Sequence, residues 1–222
     1  MDIKIDKILK IVFWIFIILV AINVIFVGFL GYEVRIFNLD EEGNIPTIFS
    51  SILLFVNALL IYLIARNEKS ISNKGKIKLS VLSLLIVYIG IDETAQIHEL
   101  IMDIIKDNYH TSGIFKFAWV IPAFFILIGL FYYLKDLGKL INKKLLRGIK
   151  IGVLIYLLGA FGMELVGGYV KTHFGNDIQY AFCVIIEESL EIGGLIYILR
   201  HLLYHLSENI RETKIKYIKS GQ

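Results

Sequence analysis

Six apolar runs of membrane-spanning length, at about 8–31, 47–65, 79–100, 115–134, 149–170 and 179–203, occupy most of this 222-residue chain. A bilayer core of about 30 Å needs roughly 20 apolar residues per helical crossing. Lipid offers the backbone no hydrogen-bonding partner, so such runs satisfy their own amides only as helices. The expected fold is therefore all-α: an integral membrane protein in which 1–222 forms a single polytopic domain, a six-transmembrane-helix bundle. Hydrophobic residues make up 57% of the chain and the mean hydropathy is +0.71, against about 45–50% in ordinary soluble domains. The remaining loops are too short for a folded water-soluble sensor. The first run follows the charged stretch Met1 to Lys10, as in a signal peptide. It is longer than a signal peptide's apolar core and has no Ala-x-Ala-like cleavage site, so it is expected to stay as a helix.

Basic residues set the expected direction. Nineteen Lys and Arg fall in the N-terminal tail, the second and fourth loops and the segment from Arg200 onward. Only four, Arg35, Lys106, Lys116 and Lys171, fall on the other side. The positive-inside rule then places both termini in the cytoplasm of a multi-pass cell-membrane protein. The basic stretch Arg211 to Lys219 reads as attraction to lipid headgroups and not as a nucleic-acid surface. Cys183 is the one cysteine, which excludes an intramolecular disulfide.

The unusual feature is acid inside the runs. Asp92, Glu93 and Glu99 lie on the third, Glu164 on the fifth, and Glu187, Glu188 and Glu191 on the sixth, with His98 among them. No Lys or Arg occupies the deep part of any run, so these carboxylates have no cationic side chain to pair with. Each costs about 2.5–3.5 kcal/mol at the centre of a membrane helix. They must be protonated, hydrated or holding a cation. At 1.5 Å per residue Asp92 and Glu164 lie about 20 Å along their helices, and Glu187 reaches a similar level from the other side. Helical periodicity puts Asp92, Gln96 and Glu99 on one stripe, and Glu187, Glu188 and Glu191 on one face. Asn23 and Asn57 fall at comparable depth and offer amide oxygens. Interhelical hydrogen bonding is the structural alternative for any single acid, but seven acids without a base point to function.

The acidic segments echo each other: Ile91-Asp92-Glu93-Thr94-Ala95-Gln96-Ile97 aligns with Ile186-Glu187-Glu188-Ser189-Leu190-Glu191-Ile192. If the echo reflects duplication, each half has three spans and the halves are inverted, an arrangement used by transporters around a midplane site. Gly159, Gly162, Gly167 and Gly168 on the fifth run, with Gly193 and Gly194 on the sixth, predict that these two helices pack closely. Trp119 and Pro122 read as an interfacial anchor and a mild kink.

Carboxylates with little nitrogen and no thiolate cluster suit a divalent cation such as Mg²⁺, Mn²⁺, Ca²⁺ or Fe²⁺. No Glu-x-x-His is present, which departs from four-helix paired-metal oxidases, and His98-Glu99 does not open a His-Glu-x-x-His zinc motif. Intramembrane proteases related to the prenyl-protein-processing family carry Glu-Glu-x-x-x-Arg, whereas Glu187-Glu188 is followed at that position by Ile192. The expected function is a cation transporter or channel, for a divalent metal or coupled to protons. Its partners are the lipid bilayer and a cation or small substrate. The metal-ligating candidates are Asp92, Glu93, His98, Glu99, Glu164, Glu187, Glu188 and Glu191, supported by Asn23, Asn57 and Gln96. One alternative is a membrane-embedded metal-dependent enzyme acting on a lipid or apolar substrate near the outer leaflet. A second is a structural or partner-binding membrane protein.

Overall fold

The computed structural model describes residues 2–29, 34–175 and 178–220, and these form helices and short turns with no strand. Helix α1 is Asp2–Asn23, continued by a wider π turn at Val24–Phe29; positions 30 and 31 of the first predicted run lie outside the described residues. After the 34–44 loop come α2, Ile45–Asn67, and α3, Asn73–Ala95. A short helix α4, Ile97–Asn108, and a turn at Gly113–Phe115 lead to α5, Val120–Leu134. Helix α6, Lys143–Leu157, passes through a π turn at Leu158–Met163 into α7, Glu164–Phe174. The last helix, α8, is Ile178–Ser220.

Four segments are long and apolar enough to cross a membrane: Lys4–Phe26, Ile45–Asn67, Val120–Lys139 and Lys143–Phe174. Helices α3 and α8 have the length, but they carry the acids and several lysines. The outer surface is apolar, with Trp14 59% exposed, Leu84 68%, Phe125 68% and Phe131 70%. Rings and aliphatic chains displayed at that density suit a lipid environment better than water.

Local sequence explains the helix starts. The side chain of Asn44 accepts from Thr47 N at 3.1 Å and Pro46 occupies the first turn of α2, where its missing N–H costs nothing. Ser72 caps α3 through Gly75 N, and Asn142 caps α6 through Lys144 N and Leu145 N. The expected continuous helix over 79–100 is instead broken at Gln96, which adopts the left-handed conformation (φ 55, ψ 39). Gln96 N–H still bonds to the Asp92 carbonyl at 2.7 Å, closing α3. The Asp92 carboxylate then accepts the His98 N–H at 2.8 Å and restarts the chain as α4. Local side-chain bonding of this kind gives the backbone an alternative to continuing its helix.

Helix α8 is the central post. It packs against α1, α2, α6 and α7, and α2 packs in turn against α3. The crossing of α6 and α8 is close because of glycine: a Cβ on Gly159 would lie 2.7 Å from the Glu187 carbonyl oxygen, and one on Gly194 2.7 Å from the Gly152 carbonyl oxygen. The predicted glycine contact thus exists at Gly159 and Gly194, whereas Gly193 faces open space. An apolar layer of Leu54, Ile61, Leu82, Ile86, Ile192 and Leu195 fills the middle of the bundle. Two polar bonds cross it, from Asn57 Nδ2 to the Leu195 carbonyl at 3.1 Å and from Ser83 Oγ to the Ala58 carbonyl at 2.8 Å.

The start of α1, the α2–α3 turn, the start of α6 and the later part of α8 meet at one end. Tyr204 donates to Asp6 at 2.5 Å, Lys144 to Glu208 at 2.6 Å, and His205 Nε2 sits 2.7 Å from Glu68. Burial opposes the Glu68 charge, but bonds from His205 and Ser70 outweigh it and hold the carboxyl below its ordinary range. At the same end Lys78 donates to the Tyr133 carbonyl and lies 3.8 Å from Asp136, fastening the end of α5 to α3.

Overpacking a tight helix crossing costs about 1–3 kcal/mol. Gly159→Leu is therefore expected to lower the thermal unfolding temperature of the detergent-purified protein, while Gly193→Ala, placed in open space on a helix, does not lower it; the pair is read in one melting series.

Candidate functional site

At the end opposite the termini the helices do not close. A cavity of about 310 Å³ lies between the 34–44 loop, α3, α4, α5, α6, α7 and α8. All seven acids singled out in the sequence line it: Asp92, Glu93, Glu99, Glu164, Glu187, Glu188 and Glu191. His98 lines it too. Three further acids, Asp40, Glu41 and Glu42, descend into it from the loop before α2. No Lys or Arg lines the cavity among the described residues.

The break at Gln96 positions the histidine. Because α4 restarts there, His98 turns back so that Nδ1 lies 3.1 Å from Asp92 Oδ2 and Nε2 lies 3.4 Å from Glu42 Oε1. Its ring also packs on Trp119, with centroids 5.2 Å apart. Glu42, His98 and Glu99 each offer a ligand atom, and those atoms lie within 4.8 Å of one another. The second oxygen of Glu42, Oε2, is buried without a hydrogen-bond partner.

Deeper acids are held individually. Ser50, on the first turns of α2, donates to Glu93 Oε1 at 2.5 Å. Trp119 Nε1 donates to Glu164 Oε1 at 2.6 Å, and its ring packs edge-on against Phe161. Glu164 pairs with Glu187, and Glu191 with the Tyr156 hydroxyl. The π turn between α6 and α7 brings Glu164 in, since Gly159 and Ala160 let the helix press against α8 at Glu187 and Glu191. Such turns recur at functional sites because they redirect side chains without ending a helix. On the rim Tyr180 donates to Asp40 at 2.6 Å, and Lys171 lies 3.9 Å from the other Asp40 oxygen and over the Tyr180 ring.

The amides go elsewhere. Asn23 donates to Asn38 at 3.5 Å, Asn57 is buried among α2 and α8 carbonyls, and Gln96 serves as the helix break. None of the three lines the cavity. Conversely, Asp40, Glu42, Ser50, Tyr156 and Tyr180 are not among the residues expected from the sequence, where Trp119 reads as an anchor. The run Asp40-Glu41-Glu42 immediately before Pro46 was the available signal for the loop acids. Nothing in the spacing of Trp119 and Glu164 announces their hydrogen bond.

A family model described as a domain of unknown function (DUF8692) matches residues 12–206. The chain belongs to this family. No curated protein and no solved structure matches it.

Glu42 lies outside the helices and responds to the cavity. Burial pushes its carboxyl from 4.5 up to about 8, with the neighbouring Glu93, Glu99 and Asp92 adding to the rise and His98 opposing it. Between those two values the folded protein holds a proton that the unfolded chain has released, so this group makes stability fall as pH rises from about 4.5 to about 8. Thermal melts across that window should show a steeper decline for the native protein than for Glu42→Gln, and equal slopes would refute the assignment.

Proposed function

We propose that this chain is a six-helix membrane protein with both termini cytoplasmic, and that its acid cavity holds a divalent cation used in hydrolysis of an amphiphilic substrate from the outer leaflet. The observation that carries the reading is the Glu42, His98 and Glu99 cluster at the mouth of a cavity whose floor is packed. Beyond Glu191 the next residues of α8 enter the apolar layer at Ile192 and Leu195. A site open at one end suits chemistry on a substrate that enters and leaves by the same side. The basic end, which gathers both termini, is then the cytoplasmic one.

The chemistry follows from the ligand types. With Asp92 taking the proton on Nδ1, His98 presents Nε2 as a ligand, the carboxylate–histidine arrangement that orients ligating imidazoles in metal sites. Two carboxylates and one imidazole suit Mn²⁺ or Fe²⁺, and also Mg²⁺ or Ca²⁺ with water completing the shell. A cation there lowers the pKa of a bound water and polarises a carbonyl or phosphoryl oxygen. The carboxyl groups behind the cluster, Glu93 and Glu164, would serve as proton acceptors there. Ser50 fixes one oxygen of Glu93, and Trp119 and Glu187 position Glu164.

Cation transport is the second reading, favoured by the continuation of the acids past this cluster to Glu187, Glu188 and Glu191. That is more carboxylate than a single ion requires. In this reading the two acidic segments belong to inverted halves that open the floor alternately.

Elemental analysis of the purified protein tests the first reading. It should find about one divalent ion per chain in the wild type and a loss of about tenfold or more in affinity for His98→Ala, as ligand or supporting-residue removal typically gives. Equal metal content in both would overturn it. For the second, Glu93→Gln combined with Glu188→Gln should abolish cation flux in vesicles; flux at the wild-type rate would dismiss it.

A further inference from the structure

The cavity has a second wall that the acids do not explain. Helix α5 is tied to α3 at one end, where Lys78 holds the Tyr133 carbonyl, and to α4 at the other, where Trp119, the residue before α5, packs on His98. Between these ties α3 and α5 do not close on each other. The gap is a groove lined by Leu85, Tyr88 and Ile89 on α3 and by Ile126, Leu127 and Leu130 on α5, and it is continuous with the acid cavity. From Leu85 to Glu93 it runs about 12 Å at 1.5 Å per residue. It opens sideways through a surface of exposed apolar residues, with Tyr88 47% and Ile126 63% exposed.

An apolar slot that opens on a lipid-like surface and ends in carboxylates fits a molecule with the matching polarity. The slot takes an alkyl chain, and the chain's head arrives among acids that no Lys or Arg of the lining neutralises. Even with a divalent ion on Glu42, His98 and Glu99, the cavity still presents the carboxyl groups of Glu93, Glu164, Glu187, Glu188 and Glu191, with no Lys or Arg among the described residues of its lining. Phosphate, sulfate or carboxylate heads find no Lys or Arg in that lining to pair with, whereas an ammonium finds carboxyl oxygens that accept its N–H groups and that its charge drives to ionise. Aromatic faces at Trp119 and Tyr156 line the same space and add cation–π attraction.

We propose that the groove between α3 and α5 admits, laterally from the bilayer, a single alkyl chain whose ammonium-bearing head enters the acid cavity. This rests on the reading of the cavity as a site for an amphiphilic substrate and names that substrate's class. The carboxyl groups of Glu187, Glu188 and Glu191 receive the head, and Ile89 and Leu127 flank the slot.

The test uses the full chain in phosphatidylglycerol nanodiscs, which contain no competing ammonium lipid, and two photoreactive probes: hexadecylamine and hexadecyl sulfate, each with a diazirine midway along the chain. The amine should label peptides of α3 and α5 about tenfold more than the sulfate, equivalent to about 1.4 kcal/mol of preference. Ile89→Trp with Leu127→Trp should abolish that labelling while Mn²⁺ binding, measured by titration calorimetry, stays at the wild-type value. Glu188→Gln with Glu191→Gln should bring the amine down to the level of the sulfate. Equal labelling by the two probes, or labelling that survives the filled groove, overturns the proposal. Failure here with Mn²⁺ binding intact leaves the metal reading standing; loss of Mn²⁺ binding with labelling intact removes that reading and leaves the groove. If the tryptophan variant melts early, Ile89→Phe alone replaces it, with a partial loss of amine labelling expected and an unchanged level contradicting the proposal.

Discussion

Carboxylates placed in an apolar bundle with few cationic partners are the constraint on which the other features depend. An isolated charge in such surroundings is expensive, and several like charges together are worse. The fold responds by gathering them around a single cavity and giving many of them a fixed donor. Ser50 holds Glu93, Trp119 holds Glu164, Tyr156 meets Glu191 and Tyr180 holds Asp40. Two backbone irregularities and one glycine serve this gathering. The left-handed Gln96 turns His98 back over Asp92, the π turn at Leu158–Met163 swings Glu164 toward α8, and Gly159 lets the two helices approach where Glu187 and Glu191 project.

The two ends of the bundle are built differently, and the difference follows from what each must do. At the end that carries the termini, ion pairs and tyrosine hydroxyls join α1, α2, α6 and α8, and the space between helices is filled with Leu and Ile. At the other end the loop acids, α4 and the top of α5 stand around open space. Packing rigidifies the floor and polar bonding shapes the mouth. Precise placement of ligating groups needs the former beneath it, because a site is only as well defined as the elements that carry it.

Much of this was legible beforehand. Apolar run length predicted helices, and the run at 47–65 became α2 at Ile45–Asn67 almost without change. Glycine content predicted that the fifth and sixth runs pack together, and Gly159 and Gly194 do so. Helical periodicity grouped the acids of each run on a face, since 3.6 residues per turn is a local property. The break at Gln96 was not legible, because a glutamine carries no signal for the left-handed region; it is adopted where the Asp92 carboxylate offers the next helix a cap. Nor were the loop acids, since helical rise fixes depth only within a run and says nothing of how the 34–44 segment folds inward.

The sequence by itself determined the class of fold, an apolar all-helical bundle, and the presence of acids that lipid cannot tolerate alone. Both are consequences of composition and of one repeated local geometry. Tertiary structure decided which groups meet. The neighbours of His98 come from the loop before α2, from α3 and from the start of α5, and the groove beside them exists only because α5 is tied at its ends. Apart from the bond to Asp92, those contacts join residues more than twenty positions apart. Distances of that kind are fixed by packing between elements, on which the order of residues within any one element is silent.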